Sequence, residues 1–152
     1  MNSTDTNVGG WPASAVRTYV NTAVYNALPS ELQNVIATTT VVSGHGSKSG
    51  EANFTSNDKL YLLSTKEVWN GGTDRDTAEA ETKQLDYYKN KGVTISNYSE
   101  AIKQYNGINT IWWLLSAASI SANDFFFVNV YGVWHDFIAN GANGVAQAFR
   151  IA

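Results

Sequence analysis

The sequence predicts a single α+β domain, from its length and from two patterns that occupy different parts of the chain. The chain has 152 residues, which suits one hydrophobic core. Helical patterns occupy residues 11–36 and 74–91. Short strand-like runs at residues 111–115, 125–131 and 145–151, separated by Asn, Ser and Gly, follow in residues 105–152. Helices first and strands later are typical of α+β proteins.

Residues 11–36 are predicted to form two helices. Ser14 is placed to cap the first, in which apolar residues recur every three or four positions, as expected of an amphipathic scaffold helix. Pro29 interrupts the pattern, and Ser30 is predicted to cap a short second helix that ends near Ile36.

The next segment is predicted to contain strands and loops. Residues 38–42 are β-branched, and residues 59–64 have the pattern of a short buried strand. Residues 43–50 are predicted to form a flexible loop, because Gly and Ser dominate them.

A third helix is predicted over residues 74–91. Asp74 and Asp76 stand at its start, where the helix dipole favours acidic side chains, and lysines stand at its end. Gly92 is predicted to terminate it.

Several classes of protein are excluded or disfavoured by composition. The absence of Cys excludes a disulfide framework and a thiolate metal site, and the net charge of −3 argues against nucleic-acid binding. The longest weakly polar run, residues 111–120, is about half of the ~20 residues that span a bilayer. Residues 1–8 carry no apolar signal-peptide core and are expected to be a linker or a cut end.

The composition changes abruptly near residue 105. Residues 1–104 contain 19 Lys, Arg, Glu, Gln and Met residues, whereas residues 105–146 contain none, although about eight would be expected at the same frequency. Asp124 and Asp136 are the only charged residues of the second segment, which is nevertheless rich in aromatic residues.

The aromatic run at residues 125–131 predicts a displayed surface. Neighbouring side chains of a strand point to opposite faces, so either Phe126 and Val128 face the core while Phe125 and Phe127 are exposed, or the reverse. Exposed patches of this kind usually mark binding sites, and their chemistry is similar to that of antibody paratopes. The alternative is a strand that is buried on both faces.

Several motifs resemble the DUF6273 family of bacterial and phage proteins and occur in the family's order. They are Gly-Gly-Trp-Pro-Ala-Ser at residues 9–14, Leu-Pro-Ser-Glu-Leu at 28–32, Lys-Leu-Tyr-Leu-Leu-Ser at 59–64, Trp-Trp-Leu-Leu-Ser-Ala at 112–117, a Phe…Val-Asn…Gly strand at 125–132 and Gly-Val-Ala-Gln-Ala-Phe at 144–149. The resemblance implies one C-type-lectin-like domain over residues 9–152.

The resemblance also offers an origin for the composition change. The group includes variable proteins of diversity-generating retroelements, in which a reverse transcriptase mutates adenines while it copies a template into the 3′ end of a gene. Asn codons are the usual targets, and they cannot become Lys, Glu, Gln, Met or Trp codons. The resemblance therefore implies that residues 112–146 are a variable region.

No catalytic or metal site is predicted. Trp134-His135-Asp136 is similar to the Trp-Asn-Asp motif of calcium-dependent lectins, but Ca²⁺ takes oxygen ligands and imidazole offers none. With two His and no Cys, a zinc site would depend on carboxylates, and no Gly-x-Ser-x-Gly elbow or phosphate-binding loop is present. We therefore expect a protein that is not an enzyme and needs neither metal nor cofactor.

The expected function is non-enzymatic ligand binding by a hypervariable surface, in a phage tail or a bacterial surface adhesin. The ligand would be a protein or glycan on a target cell, with the chain outside the cell or on a virion, without membrane insertion or a nucleic-acid partner. The alternatives are a lectin of fixed glycan specificity and a domain for oligomerisation or interaction. The candidate ligand-binding residues are Leu115, Ser119, Ile120, Asp124, Phe125, Phe127, Asn129, Tyr131, Val133, Trp134, His135, Asp136, Phe137 and Ile138.

Overall fold

A computed structural model describes residues 1–48 and 50–152 and confirms the α+β class. The helices are α1 Gly10–Ala13, α2 Ala15–Tyr19, α3 Ser30–Val35, α4 Thr65–Val68 and α5 Asp86–Asn90. The strands are β1 Ile36–Ala37, β2 Thr39–Ser43, β3 Phe54–Asp58, β4 Tyr61–Leu62, β5 Lys103–Tyr105, β6 Ile108–Thr110, β7 Trp112–Ala117, β8 Asp124–Val128, β9 Trp134–Ile138, β10 Gln147–Ala148 and β11 Arg150–Ile151. A π-helical turn, Val20–Val24, extends α2.

The two N-terminal helical regions lie where they were predicted. The Ser14 side chain accepts a hydrogen bond from the Arg17 backbone N–H, which confirms it as the N-cap of α2. Ser30 is different, because it is the first residue of α3 and Pro29 occupies the cap position. The Ser30 hydroxyl lies beside the Glu31 carboxylate instead of a backbone N–H, so its prediction as a cap was wrong.

All sheets in the described part of the chain are antiparallel and small. The largest has the order β7–β8–β9, and four two-stranded sheets pair β1 with β11, β2 with β3, β4 with β10 and β5 with β6. The strand-like run predicted at residues 145–151 is therefore two short strands, which return to pair with β4 and β1. These pairings join the C-terminal residues to the first half of the chain.

The single helix predicted over residues 74–91 does not form. A 3₁₀ turn, Glu79–Glu81, is followed by α5, and Gly92 comes after α5 with a φ of 66°. Asp76 does not lie at a helix start: it is buried, and its carboxylate accepts hydrogen bonds from the Thr65 hydroxyl at 2.7 Å and from the Ser116 hydroxyl. These long-range bonds hold the backbone in a conformation that a continuous helix would not allow.

The predicted Gly/Ser loop at residues 43–50 includes Ser49, which lies outside the described residues. The preceding part of this loop packs against the domain, because Gly44 and Gly46 are buried. Side-chain atoms of Asp76 and Asn7 occupy the space where a Cβ would stand at these glycines. Glycine is therefore needed here for close packing.

The core is built around aromatic residues from both halves of the chain. Trp11, Trp69, Trp112 and Trp113 are all buried. The adjacent Trp112 and Trp113 are both in the core, since β7 is buried along its whole length. Strand β7 is thus covered on both faces.

Residues 1–8, which were expected to be a linker or a cut end, pack against the domain. Met1 and Asn7 are buried, and the backbone N–H groups of Asn2 and Asn7 donate to the carbonyl oxygens of Ala139 and Ala122. The Asn7 side-chain amide adds further hydrogen bonds to the carbonyl oxygens of the β7–β8 loop. No helix among the described residues is long and apolar enough to cross a membrane.

Candidate functional site

Strands β8 and β9 form a hairpin on the exposed side of the three-stranded sheet. Their register pairs Phe125 with Phe137, Phe127 with His135 and Val128 with Trp134. In the described part of the chain β9 pairs only with β8, and each of its residues is at least partly exposed. Since paired residues share a face, the hairpin presents two different surfaces.

One face carries four aromatic rings in contact, which we call the aromatic cluster: Trp113, Phe127, His135 and Phe137. Phe127 stacks on His135 with ring centroids 5.7 Å apart, and it meets Phe137 edge-on at 6.4 Å. The buried Trp113, which is opposite Phe127 in the β7–β8 register, meets its ring edge-on at 6.1 Å. The cluster therefore extends from the buried ring of Trp113 in the core to the exposed rings of His135 and Phe137.

The opposite face is tied to the scaffold through Arg75. The Arg75 guanidinium lies 3.5 Å from the Asp136 carboxylate and 5.9 Å from the ring centroid of Trp134. Trp134 in turn contacts the buried Phe126 edge-on at 5.7 Å. This arrangement combines an ion pair and a cation–π contact, and it fixes the rotamers on this face of β9.

The turn between β8 and β9 is held by its own residues. The Asn129 side-chain oxygen accepts from the backbone N–H groups of Tyr131 and Val133 at 2.9 and 3.1 Å. Gly132 has a φ of 88° and packs directly against the Tyr98 carbonyl, which leaves no room for a side chain. The turn consequently holds Tyr131 in solvent, 71 % exposed.

The loop between β7 and β8 is held by Asn7, which is 114 positions away from Ser121 in the sequence. The Asn7 side-chain N–H group donates to the carbonyl oxygens of Ser121 and Asp124, each at 2.9 Å. The backbone N–H of Ser119 donates to the Arg75 carbonyl at 2.8 Å. Ile120 remains exposed at the tip of this loop.

Two predicted site residues lie in the core instead of on the surface. Leu115 is 1 % exposed because both faces of β7 are covered, and Phe125 is 0 % exposed. Phe125 shares a face with Phe127, but the N-terminal segment packs at this end of the hairpin, where Asn7 bonds to the Asp124 carbonyl. The expectation that Leu115 and Phe125 are displayed is therefore corrected.

The other predicted residues fall into four groups. Phe127, His135 and Phe137 are together in the aromatic cluster, while Asp124, Trp134, Asp136 and Ile138 are on the opposite face. Asn129, Tyr131 and Val133 lie in the β8–β9 turn, and Ser119 and Ile120 lie at the other end of the hairpin. The structure thus brings three of the predicted residues into one exposed cluster and separates the others from it.

Sequence reasoning missed Arg75 and Asn7. Arg75 is 61 positions from Asp136 and Asn7 is 117 from Asp124, and neither stands in a motif that indicates the contact. The contact of Trp113 with Phe127 depends on strand register, which the local sequence pattern does not give.

Outside the hairpin, burial changes several titratable groups. It raises the pKa values of the Glu67 and Glu79 carboxyls, raises the pKa of Tyr88 to about 12, and lowers the pKa of the Lys103 amine. Glu67 completes a capping box with Ser64 at the start of α4. Among residues 1–48 and 50–152, no three His, Asp or Glu side chains are placed to hold a metal ion together.

Comparison with known proteins places the whole chain in one family. A family model described as "Domain of unknown function (DUF6273)" matches residues 1–152. No curated protein and no solved structure matches the chain significantly.

Proposed function

We propose that this chain, which belongs to the DUF6273 family, is a non-enzymatic ligand-binding domain whose β8–β9 hairpin displays a surface diversified by a retroelement. In this proposal the scaffold is C-type-lectin-like, and the ligand is a protein or glycan on a target cell. The chain would act outside the cell or on a virion, in a phage tail or a surface adhesin.

The aromatic cluster is the observation that carries the proposal. Phe137 is 47 % exposed, and His135 is exposed beside the half-buried Phe127. Aromatic rings at the surface are costly to hydrate, and they give large contact areas with little loss of side-chain entropy on binding. The stacked contacts within the cluster hold the rings in place before a ligand arrives, which favours affinity.

The cluster also lies within the segment that has no Lys, Arg, Glu, Gln or Met. Inside that segment the core contains Trp112, Trp113, Phe126 and Val128, whereas the side chains of β9 are at least partly exposed at the surface. A surface can change without unfolding the domain only where its side chains are outside the core. The exposed side of β9 satisfies this requirement.

Recognition would combine the rings with polar groups at their edges. Phe127 and Phe137 would be the apolar anchors, because a few buried aromatic side chains usually supply most of the binding free energy. His135 on the same face can donate or accept a hydrogen bond. Tyr131, at the end of the hairpin, would extend the contact at one side.

The proposal is tested with Phe127→Ser and Phe137→Ser, and with Tyr19→Ser as a control at an exposed aromatic residue of α2. Fluorescently labelled protein is applied to a panel of intact bacterial cells and to a glycan array, and solution mass is measured by light scattering. We expect the cluster variants to lose binding at unchanged mass, while the control retains both.

Two results would count against this function. If the cluster variants convert an oligomer into monomers, the surface serves assembly. If all three variants bind as the unsubstituted chain does, the ligand is held elsewhere. Binding to the array that requires the cluster would identify the ligand as a glycan, and binding to cells alone would favour a protein.

A further inference from the structure

A second surface feature lies outside the hairpin, along the free edge of β2. A groove of about 440 Å³ is lined on one side by residues 39–42 of β2 and on the other by residues 81–86. Tyr61, Glu67 and Arg150 also line it. None of these residues belongs to the candidate ligand-binding surface.

The edge of β2 that faces away from β3 has no backbone partner in the part of the chain that the structure describes. Strand β2 pairs with β3 over residues 39–43 without a register shift. In an antiparallel pair, alternate residues direct their N–H and C=O groups away from the partner strand. The outer edge of β2 therefore presents a row of donors and acceptors.

This edge lacks the features that normally block strand addition. Edge strands are usually protected by a charged residue, a proline or a bulge. Strand β2 has the sequence Thr-Thr-Val-Val-Ser, with no charge and no proline, and its pairing shows no bulge. An unprotected edge beside a groove is suited to accept another strand.

The wall opposite β2 is fixed in place. The Gln84 side-chain N–H group donates to the carbonyl oxygens of Val68 and Val93 at 2.9 and 2.8 Å, and the Leu85 backbone N–H donates to the Glu67 carbonyl at 3.0 Å. The groove is therefore present before any ligand binds, which reduces the entropic cost of binding.

We propose that this groove binds an extended peptide segment of a partner protein, which adds to β2 as a third strand. A row of alternating N–H and C=O groups is complemented by the main chain of another strand, whereas a small molecule can satisfy only one or two of them. The four β2 residues in the groove span about 13 Å, which corresponds to four residues of an extended peptide.

The charges around the groove add a preference for the peptide's side chains. Lys83 and Arg150 line the groove together with Glu67, Glu81 and Asp86, and no pair of them is within ion-pair distance. A peptide that carries one basic and one acidic side chain would complement this mixture.

The probe for the test is the capped peptide acetyl-Lys-Val-Thr-Val-Glu-amide, titrated while amide hydrogen exchange is followed by NMR. The control peptide has the same sequence with its alternate backbone nitrogens methylated, in two versions that block either edge. We expect the first peptide to slow exchange at residues 39–43 and at least one methylated version to bind about tenfold or more weakly.

Protein variants separate strand addition from other modes of binding. Thr40→Lys places a charge at the edge and is expected to abolish binding, while Thr55→Lys, on the exposed side of β3, is the matched control and is expected to bind normally.

Three outcomes would overturn the proposal. The first is no change in exchange at residues 39–43 at millimolar concentrations of the peptide and of its charge-reversed isomer. The second is equal binding by all methylated versions, which would show contact through side chains only. The third is a concentration-dependent dimer that Thr40→Lys dissociates, which would make a second copy the occupant. The test does not use the aromatic cluster, so its result is independent of the proposed function.

Discussion

The ring of Phe127 lies over the imidazole of His135, with centroids 5.7 Å apart and planes 21° from parallel. The two residues are opposite each other in the β8–β9 register, so strand pairing produces the stack. Phe127 also meets the buried Trp113 and the exposed Phe137 edge-on. A core aromatic residue thus supports a displayed aromatic surface.

The first prediction contrasts core and display positions within the compositionally unusual segment. Leu115→Ala is expected to lower the free energy of unfolding by about 2–5 kcal/mol, because it leaves a cavity in a core strand. Phe137→Ser is expected to lower it by less than about 1 kcal/mol, since the ring is 47 % exposed. Urea unfolding of both variants measures the difference. Equal losses would mean that Phe137 belongs to the core.

The second prediction concerns the Asn7 side chain as the anchor of the β7–β8 loop. Asn7→Ala would remove one of the two donors of each of the Ser121 and Asp124 carbonyl oxygens, and the loss of these two hydrogen bonds is expected to cost about 1–3 kcal/mol. Hydrogen exchange near residues 118–124 should also become faster. Asn57→Ala, which removes an exposed contact with Thr40, is the control and should change little. Unchanged exchange in Asn7→Ala would show that the loop holds its conformation without this anchor.

The third prediction concerns the contact between Arg75 and Asp136. A double-mutant cycle with Arg75→Ala and Asp136→Ala is expected to give a coupling free energy of about 0.2–1 kcal/mol, because the 3.5 Å ion pair is partly exposed. Arg75→Lys should lower the free energy of unfolding although it keeps the positive charge, since a lysine cannot reproduce the planar contact with Trp134. Additive effects of the two alanine substitutions would show that Arg75 does not fix β9 through Asp136.

The fourth prediction follows from the raised pKa of the Glu79 carboxyl, whose cause is chiefly burial. The pKa of this carboxyl is higher in the folded state than its ordinary value of 4.5 in the unfolded state. The free energy of unfolding therefore falls as the pH rises above 4.5, because the unfolded chain loses the proton more readily. Glu79→Gln removes this decline and keeps an acceptor for the Thr73 N–H. Its stability relative to the unsubstituted chain should rise between pH 4 and pH 7.

Urea unfolding at each pH measures this change, with Glu31→Gln as the exposed control. A stability difference between Glu79→Gln and the unsubstituted chain that stays constant across this range would contradict the assigned pKa direction.

Local sequence patterns predicted those parts of the fold that depend on neighbouring residues. The Ser14 cap and the strands at β7 and β8 follow from spacing and turn chemistry, and both are confirmed. The helix expected from Asp74 onward failed because Thr65 and Ser116 bind the Asp76 carboxylate across the fold. No local pattern can indicate bonds of that kind.

In the candidate site, too, local patterns predicted some features and long-range contacts determined the others. The aromatic run predicted an exposed surface, but strand alternation allowed two orientations, and only the pairing of Phe127 with His135 shows which side is displayed. Phe125 lies on that same side and is nevertheless buried, because residues from the N-terminal segment pack at its end of the hairpin. Long-range packing decides which side chains of a strand remain in solvent.

The central claim, a binding surface produced by adenine mutagenesis, is tested most directly by sequencing the DNA around the gene. We predict a reverse-transcriptase gene nearby and a near-copy of the 3′ end that differs mainly at adenines. The differences should include the codons of Phe127, His135 and Phe137 and spare those of Trp112, Trp113, Phe126 and Val128. The absence of such a copy, together with identical residues 115–138 in sister strains, would contradict the account.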